Sequence, residues 1–441
     1  MMNFLYRPID AAILIYFRIA AGILMAQELI NGITIGKFQE YTVPAFHFSY
    51  LYFEWIKPWP YWGMAAHFTL TIFAGFAVAF NFHYRLFSIV LFLGYTGLFL
   101  MEQAEYINHN YLYCLVSFWM MFLPLNKNRK TQPAWMLYLI LFHMALAYFF
   151  GGIAKLNPDW LSGTPMDLFL AHRKDYPLGV IYRTKWAPYA FSYGGLIFDL
   201  IIVPMLLFRP TRLIGLGCSV IFHISNIMMF GLATFPWFSM LLTSMFFDPS
   251  WPRKVPILKN FMPWGIERAP DFKPNKFLVA TLTVYFLIHV TLPFRHLLYP
   301  GVTSWTEDGH MFAWRMMLRT KQGRMHMFVQ NKKTGSIKVV DHREFLTKRQ
   351  YQDCIGKPDH ILQFAHFIRD HYQKLWGVEV AVYASSRISL NGRPRVEMIK
   401  PGTNLAMEKR SVLPYEWVLP LEKVSRLIGD AESLTDRREV F

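Results

Sequence analysis

From residue 11 to residue 296 the chain runs as apolar blocks separated by polar breaks, some of a few residues and three of about thirty. The blocks are close to the roughly 20 residues a helix needs to cross the hydrocarbon of a bilayer. About nine stand out, at 11–31, 62–81, 86–102, 110–125, 134–155, 190–208, 213–231, 233–247 and 277–296. The first block holds Arg18 and lacks a small-residue cleavage site, so it reads as a span and not a signal peptide. Beyond residue 299 the pattern changes. "RMHMFVQNKKTGSIKVVD" alternates and turns at Lys332–Gly335, a hairpin. "PDHILQFAHFIRDHYQKLWG" has helical spacing, with Asp359 as its cap and Gly377 as its stop. "VEVAVYASSRISLNGRPRVEMIK" reads as two strands joined at Asn391-Gly392. The predicted fold is a polytopic α-helical membrane protein over 1–299, followed by a β-rich α+β module over 300–441.

Charge orients the spans. With the N-terminus in the cytoplasm, the inside loops hold Arg85, Lys127, Arg129, Lys130, Arg209, Arg212, Arg253, Lys254, Lys259, Arg268, Lys273 and Lys276. The outside breaks between spans three and four, and seven and eight, hold no Lys or Arg. The long loop 156–189 departs from this with Arg173, Lys174, Arg183 and Lys185, and long loops obey the rule weakly. An odd number of spans then places the C-terminal module outside the cytoplasm. Composition agrees: 54% of residues are hydrophobic and 17% aromatic, too apolar for an ordinary soluble protein of this size. The net charge of +16 is therefore read as loop charge facing anionic lipid headgroups, not as a nucleic-acid surface. Three cysteines, two within spans, make no disulfide framework, and there is no N-x-S/T sequon.

Polar groups inside or at the ends of spans are costly and need a reason. Lys155 ends span five at the predicted outer face. "YINHNYLY" opens span four at that face with Asn108 and His109; Asn226 lies in the outer half of span seven, one turn after His223; His296 ends span nine. These groups fall at similar depth. Met144, Tyr148, Gly151, Gly152 and Lys155 share one helical face, and the glycines allow a neighbouring helix to approach just beneath the amine. A dry setting there favours an uncharged, basic amine. The plainer reading is that Lys155 snorkels to the headgroups and His109 bonds a loop carbonyl. Arg18 and Asp199 are expected to form a buried structural ion pair. His360 and His371 lie about 16 Å apart on one helix, too far to share a metal, so no metal site is expected.

The chain resembles the vitamin K-dependent γ-glutamyl carboxylases with their horizontally transferred transmembrane (HTTM) domain. "FRIAAGILM", "YRLFSIVLF", "NHNYLY", "GGIAKLNPDWLSGTPM", "LIFDLIIVPMLLF", "FHISN", "DPSWPRKV", "LPFRHLLYPGVTSWTEDGHMFAWRMM" and "RPRVEMIKPGTNLAM" carry the likeness, collinear from about residue 8 to residue 415. The resemblance implies carboxylation of a protein glutamate at its γ-carbon, coupled to oxidation of vitamin K hydroquinone, as menaquinol or phylloquinol, by O₂. A weak enzyme base deprotonates the hydroquinone. Oxygenation then yields a strongly basic alkoxide, which removes the γ-proton. The carbanion captures CO₂, and the quinone leaves as its 2,3-epoxide. Lys155 matches the weak base, with Ala154 where animal members carry a second lysine. His109 matches the active-site histidine, next to Asn108. Trp160, His223, Asn226 and His296 are expected to line the cofactor pocket, with the Glu-bearing protein or peptide arriving from the extracytoplasmic side.

The cysteines do not match the lumenal disulfide of animal members, and the chain ends near the point where those continue. Propeptide recognition and processive carboxylation of clotting-type substrates are therefore not among the properties the resemblance implies here. With the missing sequons, this leads to the expectation of a short bacterial or early-branching member in a plasma membrane, not the endoplasmic reticulum. Two alternatives stay open: a quinol epoxidase or oxidase without carboxylation, and a non-catalytic membrane binding or sensor protein.

Overall fold

A computed structural model describes residues 2–123, 130–173, 175, 179–261 and 272–421. Lys127, Arg129, Lys174 and Arg268, which the charge reading uses, lie outside the described residues. The apolar blocks form helices α1 (Ala12–Thr34), α2 (Tyr61–Ala79), α3 (Tyr84–Met101), α4 (Asn108–Phe122), α5 (Trp135–Lys155), α6 (Ala187–Leu207), α7 (Arg212–Phe230), α8 (Phe235–Ser244) and α9 (Lys276–Thr291). Among the described residues seven stretches are long and apolar enough to cross a membrane: α1, α2, α3, α5, α6, and 209–230 and 276–298, which contain α7 and α9. The other two blocks form shorter helices, α4 with 15 residues and α8 with 10. At 1.5 Å per residue α8 reaches about 15 Å, half the hydrocarbon thickness. Its Phe238, Leu241 and Leu242 are buried against other helices. Of the nine expected spans, seven are of spanning length among the described residues, and the other two, α4 and α8, are shorter there.

Close crossings are made where side chains vanish. A Cβ on Gly22 of α1 would stand 2.5 Å from the Gly75 carbonyl oxygen of α2. The two helices touch backbone to backbone there, as small residues permit in a membrane bundle.

The C-terminal module is an antiparallel four-stranded sheet, β1 (Lys321–Asn331), β2 (Ile337–Val339), β3 (Val380–Leu390) and β4 (Val396–Glu397), in the order β2-β1-β3-β4. The long pair runs in register from Lys321↔Leu390 to Asn331↔Val380. Alternation along β1 turns Met325, Met327 and Val329 inward. Helix α10 (Pro358–Trp376) covers that face with Ile361, Leu362, Phe364, Ala365 and Ile368. Gly377 stops it at φ 66°, and Asn391-Gly392, at φ 51° and 76°, turns the chain between β3 and β4. Asp359 is not the cap. Lys357 occupies that position, and Asp359 accepts hydrogen bonds from Arg410, Gln363 and Tyr415.

The module is fastened to the bundle at two corners. Glu102, fully buried at the end of α3, accepts from the Phe48 and Ala104 amides, pairs with His47 at 2.9 Å, and accepts from Gln350 of the module at 2.8 Å. Gln363 of α10 accepts from the Ser49 amide and donates to Gln103. At the other corner Asn391 and Arg393 donate to Asp159, four residues beyond Lys155. Bundle and module thus close over the space above α5.

Candidate active site

Lys155 is the last residue of α5 and is 6% exposed. Its Nζ lies 2.5 Å from Oδ2 of Asp199, which is 3% exposed on α6. It also lies 3.4 Å from the Gly151 carbonyl oxygen and 5.2 Å above the Trp160 ring centroid. The amine does not snorkel; it points into protein. Gly151 and Gly152 explain how α6 comes so near. A Cβ on Gly152 would meet Leu200 Cδ2 at 2.6 Å and Asp199 Cβ at 3.3 Å, and one on Gly151 would meet Asp199 Oδ2 at 3.0 Å. Trp160 is fixed in turn by its indole N–H, which donates to the Ser192 carbonyl oxygen of α6 at 2.7 Å.

Two expectations change here. Asp199 is the partner of Lys155, not of Arg18, which is buried on α1 with Tyr84 of α3 as its electrostatic neighbour. The isolated uncharged amine becomes an amine–carboxylate pair, because a buried carboxylate and a buried amine each need the other's charge or proton. The signal for this was the glycine pair itself, which marks the place where a second helix touches α5.

One cavity of about 1160 Å³ joins most of the predicted groups. Asn108, His109, Lys155, Trp160, His223 and Asn226 all line it, as does Asp199. His109, in the first turn of α4, stacks on Phe235 and has Nε2 3.5 Å from Glu28 of α1. Asn108 accepts from the Tyr106 hydroxyl at 3.2 Å. His223 meets the Tyr148 hydroxyl through Nε2 at 2.7 Å, and its buried Nδ1 has no hydrogen-bond partner among the described residues. His296 is not brought in. Its Nδ1 rests on the Pro293 carbonyl oxygen at 2.8 Å, its backbone packs against Gly309, and Arg295 lines the cavity in its place.

The cavity continues into the module, where sequence reasoning named no site residues. Glu307, His310, Arg315 and Arg319 line that end. Burial pushes the Glu307 carboxyl up, but Arg319 and Lys321 outweigh it and hold the group well below the usual carboxylate range. Burial, helped by Arg319, holds His310 well below the ordinary histidine range, so its ring is neutral. The cavity therefore has an apolar membrane end with the Lys155–Asp199 pair, and a charged end in the module. Among the described residues no cluster of metal-ligating side chains occurs.

Comparison with known families agrees with this two-part construction. The HTTM domain family matches residues 6–251, more than half of the chain, and the vitamin K-dependent gamma-carboxylase lumenal domain matches residues 274–424. No solved structure matches the chain. A bundle with several membrane-length helices, joined to a domain of this lumenal type, makes the chain an integral membrane protein that belongs to the vitamin K-dependent gamma-carboxylase family.

Proposed function

We propose that this protein carboxylates glutamate side chains of a protein or peptide at the γ-carbon, coupled to epoxidation of vitamin K hydroquinone, with Lys155 as the base that starts the reaction. The observation that carries the reading is the Lys155–Asp199 pair, buried at the wall of a largely apolar cavity that a flat bicyclic quinol fits. Bound there, the quinol supplies, with O₂, the strong base that no side chain provides.

The chain's own residues have four tasks. The Lys155–Asp199 pair takes the proton of a quinol hydroxyl. With one proton already held between amine and carboxylate, the quinol's proton makes two, so the pair ends as Lys155 ammonium with protonated Asp199, one positive charge beside the quinolate. Trp160, over the amine, holds it in line and excludes water. His109, placed by Glu28 and Phe235, faces the cavity as the group that stabilises charge at the carbanion and CO₂ step. The outer module receives the glutamate-bearing chain on the extracytoplasmic side, where the charged end of the cavity lies.

The purified protein, supplied with reduced vitamin K, O₂, labelled bicarbonate and a Glu-containing peptide, tests this. Epoxide together with fixed label is the expected result. Epoxide alone reduces the activity to quinol oxidation, and neither product removes the enzymatic reading.

A further inference from the structure

Residues of α6 and α7 form one wall of the cavity, with a seam between the two helices. On α6 the lining residues Gly194, Ile197, Ile201 and Met205 repeat at three or four residues, one stripe along the helix. On α7 Cys218, Ile221 and Ser225 make the matching stripe. Phe198 and Phe222 stack beneath them with ring centroids 3.9 Å apart, forming a floor. The rims face outward: Ile197 is 52% exposed, Ile201 44% and Ile221 70%. Gly194 would meet nothing within 4 Å if given a Cβ, so no side chain closes the seam there.

Both helices belong to stretches of membrane-crossing length, so the seam opens into lipid and not into water. It begins beside Lys155, where a Cβ on Gly195 would stand 3.9 Å from Lys155 Cε. From Gly194 to Met205 it extends about 16 Å along the helix axis. An apolar trough of this kind, continuous with a site that handles a ring bearing hydroxyl groups, matches one ligand shape: a compact redox ring with a long hydrocarbon tail.

We propose that the α6–α7 seam is the lateral portal of the site and the binding groove for the isoprenoid tail of the quinol, which enters sideways from the bilayer. This rests on the functional reading above and adds where the tail lies and how the substrate arrives. The ring passes between Ile201 and Ile221 to reach Lys155, and the tail stays behind over the Phe198–Phe222 floor.

The chain carries its own probe. Cys218 is exposed on the seam, while Cys114 and Cys354 are buried. In protein held in lipid nanodiscs, the rate at which a membrane-permeant maleimide labels Cys218 is measured with phylloquinone and with 2,3-dimethyl-1,4-naphthoquinone. The second has the ring without the tail, and neither has a free ring position for a thiol to attack. Phylloquinone is expected to slow labelling several-fold and the tail-less ring to leave it nearly unchanged. Equal labelling with both overturns the proposal and leaves the seam to bilayer acyl chains. A second measurement uses Ile201→Trp, at an exposed position where a larger ring does not disturb the core. It is expected to raise KM for phylloquinol more than for the tail-less quinol; an equal rise overturns the portal. Loss of epoxidation with every quinol would remove the functional reading, while the labelling difference would still decide the seam.

Discussion

At the scale of single residues, the chemistry depends on what stands next to the Lys155 amine. Asp199 gives it a place for a proton and compensates its charge, so Asp199→Asn keeps the shape and removes that service. Epoxide formation is expected to fall about tenfold or more, equivalent to about 1.4 kcal/mol of barrier, with an altered pH dependence of epoxidation. A rate and a pH profile like the unsubstituted protein's would make the carboxylate a mere neighbour. His109→Ala is expected to damage label fixation more than epoxide formation, because His109 is assigned to the later step; equal losses would point to packing on Phe235 instead. Lys155, His109, Asn108, Trp160, His223 and Asn226 line one cavity, as the similar depth of their short stretches led one to expect. Sequence reasoning misassigned Asp199 and His296 because a polar residue's position along a helix says how deep it lies, not which neighbour it faces.

Elements were the most legible level. Apolar blocks gave the helices, alternation gave β1 and β3, and Gly377 and Asn391-Gly392 ended or turned them as backbone sterics require. Apolarity does not fix how long the resulting helix is, and α8 is shorter than the apolar block that holds it. Helix contact at the site is tested by Gly152→Val. Its branched side chain meets Leu200 and Asp199 on α6. A cost of about 1–3 kcal/mol in stability is expected, with a loss of epoxidation larger than the stability change explains. The corner at Asp159 gives a pH signature. Hydrogen bonding from Arg393, against the opposing effect of burial and with help from Asn391, holds the Asp159 carboxyl below its ordinary value of 3.8. A depressed carboxyl stabilises the fold fully above that value, and the contribution disappears as pH falls through the lower folded value. Hydrogen exchange at residues 391–393 should therefore be slow at pH 5 and speed up below about pH 4. In Arg393→Ala it should be fast at both; acid-insensitive exchange in the unsubstituted protein would contradict the assignment.

The whole molecule is a bundle and a module that share one cavity, and its integrity depends on the fastening around Glu102. Glu102→Ala leaves two amides and the Gln350 side chain without their buried acceptor. A stability loss of about 3 kcal/mol is expected, with faster hydrogen exchange at 46–49 and 350–363 and a weaker response to the peptide than to the quinol. The division into an apolar and a polar part was readable from composition; the shared cavity was not, because it is made by residues from both ends of the chain. Its central claim concerns the proton on the quinol. Epoxide formation by Lys155→Ala, with and without an added small primary amine, tests that most directly. A fall of about a hundredfold or more, partly reversed by the amine, is the predicted result. Epoxide formed at the ordinary rate without it would contradict the account.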